Sequence, residues 1–172
     1  GIIYQTYTKE MVEKMNALVS VADIITPNLT ETEILLGEKY ICEKISIEKL
    51  KLYLKRLCDM GPRISLITGI VTEDGEHINC CYDKYNDEFY KVPFDFINIR
   101  YPGTGDLFTS LFIGYLLNGK ILPEAMEYAS TFVSKAVLTT YEAKTPGSEG
   151  VLFEKIMREL YVENESFKYA RI

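Results

Sequence analysis

The stretch Pro102-Gly103-Thr104-Gly105-Asp106-Leu107-Phe108 constrains this chain more than any other. Two glycines bracket a threonine, an aspartate follows, and an apolar run comes next. Leu107, Leu111 and Tyr115, with Phe108 and Phe112, recur at helical spacing, which predicts a buried helix from this point. A glycine-rich turn at a helix start leaves backbone N–H groups without intrahelical partners. With the positive end of the helix dipole they form a ready anion site. Gly103 and Gly105 let the backbone approach a ligand with no Cβ in the way. A carboxylate beside an anion pocket is useful there as a proton acceptor. Asp106 therefore reads as the base for phosphoryl transfer to a hydroxyl, with the oxyanions resting on the amides. A plain helix cap also fits, since acidic residues are favoured in the first turn of any helix.

The rest of the chain alternates helix and strand. Thr8 caps a helix lined by Met11, Met15, Leu18 and Val19 and ending near Ser20. Asp23 to Thr26 reads as a strand, Pro27 breaks pairing, and a helix starts near Thr30, with Thr30 and Glu33 spaced as a capping box. Ser46 caps a helix that carries Leu50, Leu54 and Leu57 on one face and stops at Gly61-Pro62. Arg63 to Thr68 is the next strand, with Gly69 at its carboxyl end. Ile78 to Tyr82 and Glu88 to Val92 form a hairpin around Asp83 to Asp87. Pro123-Glu124-Ala125 starts a long helix, and Val151 to Leu160 reads as a last amphipathic one; the tail after Tyr161 carries no pattern. This alternation predicts an α/β fold, with a mainly parallel sheet in a single domain of 172 residues. Ligands in such sheets bind at the carboxyl ends of strands, where Thr26, Asn28, Glu31 and Thr68 fall.

A net charge of −6 argues against nucleic-acid or anionic-membrane partners. No apolar run is long enough to span a bilayer, and no basic segment followed by an apolar one opens the chain. Cys42, Cys58, Cys80 and Cys81 lack Cys-x-x-Cys spacing and His77 is the lone histidine, which speaks against a zinc site or a disulfide framework. A reducing cytoplasm fits. His77 reads as a surface strand residue.

Taken in order, Thr26-Pro27-Asn28-Leu29-Thr30-Glu31, Leu66-Ile67-Thr68-Gly69 and Gly103-Thr104-Gly105-Asp106 resemble the ribokinase-like superfamily, most closely its pyridoxal (pyridoxamine/pyridoxine) kinase branch. The wider wording Asp23 to Glu31 and Tyr101 to Ser110 is similar to bacterial members of that branch. The resemblance implies a three-layer α/β/α fold, and a chain that begins near the middle of such a kinase, with Gly1-Ile2-Ile3-Tyr4 just after a central strand. It implies ATP and Mg²⁺, with room for a monovalent cation, and transfer of the γ-phosphoryl group to the 5′-hydroxymethyl of a B6 vitamer. By the same resemblance Asp106 is the base and Gly103, Thr104 and Gly105 are the anion hole. Thr26, Asn28, Glu31 and Thr68 face the nucleotide, and Lys91, Val92, Pro93 and Phe94 the adenine. Glu31 stands near the metal through water, which suits a cation that keeps its hydration shell. The complete enzyme is expected to be a homodimer, and this chain by itself an inactive portion. A hydroxymethylpyrimidine or sugar kinase, or a non-catalytic nucleotide-binding fragment, are the other readings.

Overall fold

A computed structural model describes residues 9–38, 44–164 and 166–172. Gly1 to Tyr4, the expected cap Thr8, and Cys42 lie outside the described residues. The elements are α1 (Lys9–Val19), β1 (Ile24–Ile25), α2 (Leu29–Leu35), α3 (Ile47–Asp59), β2 (Ile64–Val71), β3 (His77–Asp83), β4 (Glu88–Pro93), α4 (Thr104–Leu117), α5 (Leu122–Glu142), a 3-10 helix (Phe153–Tyr161) and β5 (Ala170–Arg171). The strands form one sheet in the order β1-β2-β3-β4-β5. The chain is α/β as expected, but its sheet is mostly antiparallel rather than mainly parallel. β1 pairs parallel with β2, after which β3 runs antiparallel to β2. The reason is the short turn over 72–76, which joins β2 to β3 with no crossover helix between them.

Two compact units are formed, one up to Lys91 together with Arg171 and Ile172, the other Val92–Ala170. In the first, Leu50, Leu54 and Leu57 of α3 recur at helical spacing and are fully buried with Ile67, Ile70, Ile78 and Cys80 of the sheet. Each such leucine contributes about 1.5–3 kcal/mol by burial. The Ser46 hydroxyl caps α3 by accepting from the Lys49 N–H at 3.2 Å. Beyond α3, Gly61 has φ +150° and passes so close to Ser20, just after α1, that a Cβ would lie 2.5 Å from the Ser20 carbonyl oxygen; only glycine fits. The hairpin turn is tied by Asp83, which accepts from Arg63 at 3.0 Å, the Tyr85 N–H at 3.0 Å and Asn86 at 2.9 Å. Lys51 and Lys55 lay their ammonium groups over the Phe89 ring at 5.4 Å each, covering its apolar face.

In the second unit, α4 buries Phe108 and Phe112, whose rings stack 6.1 Å apart. α5 buries Ala125, Ala129 and Ala136, small residues that permit close helix approach, with Met126 and Phe132 filling the space between them. Gly119, with φ +86°, ends α4. The expected last α-helix is a 3-10 helix instead. The tail, silent in sequence, is strapped down. The buried Glu127 carboxylate accepts from the Lys168 and Tyr169 N–H groups at 2.8 Å each, and β5 then joins the sheet. Among the described residues no helix is long and apolar enough to cross a membrane.

Candidate functional site

Asn28 stands where β1 hands over to α2. It is the N-cap of α2, in extended conformation, and its Oδ1 accepts from the Glu31 N–H at 3.0 Å. In return the Asn28 N–H donates to Glu31 Oε2 at 3.0 Å. The capping box is therefore the Asn28–Glu31 pair itself, not Thr30 with Glu33. The helix starts one residue earlier than expected, and Glu33 is only 2% exposed. Burial raises the Glu33 carboxyl above its ordinary range, against the pull of Lys49. The Thr32 hydroxyl donates to the Asn28 carbonyl at 2.9 Å, which closes the first turn.

Thr68 is not at a strand end. β2 continues past it to Val71 through a bulge in which Thr68 and Gly69 together face Asn79 of β3. Gly69 takes φ +64°. The bulge lifts Thr68 and Gly69 out of a strand that is otherwise largely buried. On its other side Thr68 bridges Asn28 in parallel, and its N–H donates to the Pro27 carbonyl at 3.0 Å. The fold thus brings Asn28, Glu31 and Thr68 together. Thr26 and Glu31 line a mainly apolar groove of about 310 Å³ with Val12, Met15, Ile25 and Ile34. Among the described residues no group of three His, Cys, Asp or Glu side chains could hold a metal. A single carboxylate fits Mg²⁺ bound mainly through water and phosphate oxygens, and Glu31 has one oxygen committed to the box and the other outside it.

The glycine loop stands at the head of α4. Gly103 is the N-cap at φ +82°, and its side-chain-free position offers no cap acceptor. By contrast, α2 and α3 are capped by Asn28 and Ser46. The Gly103 carbonyl accepts from the Leu107 N–H at 3.0 Å, so the N–H groups of Thr104, Gly105 and Asp106 precede the first intrahelical bond. A Cβ built on Gly103 or Gly105 meets nothing within 4 Å, leaving open space over the loop. Asp106 is exposed in that first turn. The loop is anchored by Tyr101, 3% exposed, whose hydroxyl donates to the Thr145 carbonyl at 3.4 Å. Tyr101 and Asn79 both support expected site residues, and sequence reasoning missed them, because each acts through a partner distant in sequence.

The adenine-side residues are less of a set. The Lys91 ammonium is paired with Glu76 at 2.5 Å. Val92 is fully buried, so its side chain belongs to the core, whereas Pro93 and Phe94 are half-buried.

The phosphomethylpyrimidine kinase family matches residues 4–149. A hydroxymethylpyrimidine/phosphomethylpyrimidine kinase of Aquifex aeolicus is 31% identical over 120 residues, 69% of this chain and 45% of that protein. A pyridoxal kinase of Histophilus somni is 32% identical over 126 residues, 71% of this chain and 42% of that one. A crystal structure from Bacteroides thetaiotaomicron, of a protein assigned to the phosphomethylpyrimidine kinases and crystallised with pyridoxal, superposes with a TM-score of 0.94 at 35% identity. It covers 100% of this chain and 60% of its own. The chain spans about half the length of the curated relatives it matches.

Proposed function

The chain belongs to the phosphomethylpyrimidine kinase family and is pyridoxal kinase-like within the ribokinase superfamily, and on that premise we propose that it carries the base and the nucleotide side of an ATP-dependent vitamin B6 kinase. The observation that carries this reading is the α4 start, an uncapped glycine turn with open space above it and Asp106 exposed in its first turn. Asp106 takes the proton of the 5′-hydroxymethyl group as its oxygen attacks the γ-phosphorus. The bond to the departing ADP breaks, and the amides of Gly103, Thr104 and Gly105 stabilise the charge that develops. Asn28, Glu31 and Thr68 serve the nucleotide phosphates, and Thr26 precedes Asn28 on the connection from β1 to α2. Mg²⁺, when bound, neutralises phosphate charge, with Glu31 reaching it through water. Lys91, Val92, Pro93 and Phe94 remain the adenine-side assignment, through backbone rather than side chain at Val92. The alcohol is a B6 vitamer, in line with the pyridoxal of the 35% identical structure. The Aquifex relative supports hydroxymethylpyrimidine as the second reading. The protein acts in the cytoplasm as a homodimer of complete subunits.

We further propose that these 172 residues form one partial kinase domain and need the remaining length of their relatives for turnover. Met15 and Leu18 of α1, 41% and 62% exposed, suit a face that further polypeptide covers. The test is phosphorylation of pyridoxal, pyridoxine, pyridoxamine and hydroxymethylpyrimidine by the chain alone, and by the chain reconstituted with the N-terminal segment of the Bacteroides relative. Turnover of a B6 vitamer only after reconstitution is expected. Turnover of hydroxymethylpyrimidine alone would overturn the substrate assignment, and full turnover without the segment would overturn the partial-site reading.

A further inference from the structure

We propose that Asn79 is a positioning residue, holding Thr68 and Gly69 in the conformation that meets the nucleotide phosphates; this rests on the nucleotide-side reading of Thr68 above. Ile67 pairs with Cys80 and Ile70 with Ile78, so Asn79 alone faces two residues of β2. A bulge breaks the ladder locally and deprives a backbone group of its usual partner. Here the Gly69 N–H is the group concerned, and Asn79 Oδ1 accepts from it at 2.9 Å. Asn79 is 5% exposed and sits between Ile78 and Cys80, both fully buried, so its position is set by the core. Gly69, at φ +64°, is held in a conformation that an ordinary strand residue avoids. Thr68 next to it is the residue that bridges Asn28 across the sheet. One buried amide side chain therefore fixes the bulge from inside, while the bulge presents Thr68 beside the Asn28–Glu31 box outside. Without that acceptor the Gly69 amide loses its partner and the bulge can relax toward regular pairing, which turns Thr68 away from its place beside Asn28.

The test is titration of Mg²⁺ and a fluorescent ATP analogue into the full chain, with melting temperature measured for each variant. Asn79→Leu, of the same branched shape though bulkier and without an acceptor, should raise the dissociation constant about tenfold. Thr68→Val should do the same. The double variant should bind no more than about threefold weaker than either single one, because both changes remove one interaction. Asn79→Asp, which keeps an acceptor oxygen, should restore binding to within about threefold. If Asn79→Leu does not fold, Asn79→Ser, too short to reach the Gly69 amide, takes its place. Loss on Thr68→Val with none on Asn79→Leu, or fully additive losses, overturns the positioning role alone. Wild-type affinity in Thr68→Val overturns the nucleotide reading of Thr68 and the positioning role with it.

Discussion

Asn28 and Glu31 hold each other by two reciprocal bonds of 3.0 Å, side chain to backbone in both directions. This pair caps α2, and on the proposed reading it also serves the nucleotide side of the site. The two roles separate by substitution. Asn28→Ala removes the cap and should cost about 1 kcal/mol of stability. Glu31→Gln keeps an acceptor for the Asn28 N–H and should leave the melting temperature nearly unchanged. If Glu31 reaches Mg²⁺ through water, the same variant raises the Mg²⁺ concentration needed for nucleotide binding. Unchanged Mg²⁺ dependence in Glu31→Gln would leave Glu31 as a cap and nothing more.

Gly103 and Gly105 are glycines for different reasons. Gly103 has φ +82°, so Gly103→Ala should destabilise the fold by about 1–2 kcal/mol through backbone strain. Gly105 is helical and has open space around it. Gly105→Val should therefore change unfolding free energy by less than about 0.5 kcal/mol, while its side chain fills the space over the loop and lowers kinase turnover at least about tenfold. Thermal melts beside kinetics of the reconstituted enzyme check this. Parallel losses of melting temperature and activity in Gly105→Val would argue that the loop is structural.

Asp83 sets a pH dependence. Burial alone would raise its carboxyl, but the bonds from Arg63 and the turn beyond it prevail and hold it below the usual carboxylate range. The unfolded chain therefore binds the proton more readily. The stability Asp83 supplies is present in full above the ordinary carboxylate range and is lost as pH falls through the lowered value. Asp83→Ala should cost about 1–3 kcal/mol at neutral pH, through the unpartnered groups left behind. The gap in melting temperature between wild type and Asp83→Ala should narrow as pH drops below about 4. A gap independent of pH would mean that Asp83 acts by shape rather than charge.

Local signals were legible in the sequence where their causes are local. The ends of α3, the β3–β4 hairpin, the Gly119 stop and the glycine turn of α4 all lie where capping and turn residues put them. Features set by distant partners were not legible. Gly69 reads as a strand end because glycine punctuates strands; the ten-residue reach to Asn79 that turns it into a bulge leaves no local trace. The strap that Glu127 makes on Lys168 and Tyr169 spans more than forty residues and is likewise invisible locally. Alternation of helix and strand suggested a parallel sheet, but the tight hairpin after β2 reverses the direction. Of the proposed site, the sequence supplies Asn28, Glu31, Thr68 and Gly103 to Asp106 as candidates, whereas the capping box that spacing puts on Thr30 and Glu33 joins Asn28 to Glu31 instead.

The most direct measurement is pyridoxal 5′-phosphate formation by the reconstituted enzyme with and without Asp106→Asn, alongside Mg-ATP affinity. Asp106 is exposed in the first turn of α4, so asparagine fits without disturbing the fold. If Asp106 takes the hydroxyl proton, turnover falls by about 10²–10⁴-fold, the share of a general base. Mg-ATP affinity then stays within about twofold, because the interaction lost is made only in the transition state. Turnover near that of wild type would contradict the assignment of Asp106 as the base and leave the α4 start as an ordinary helix cap.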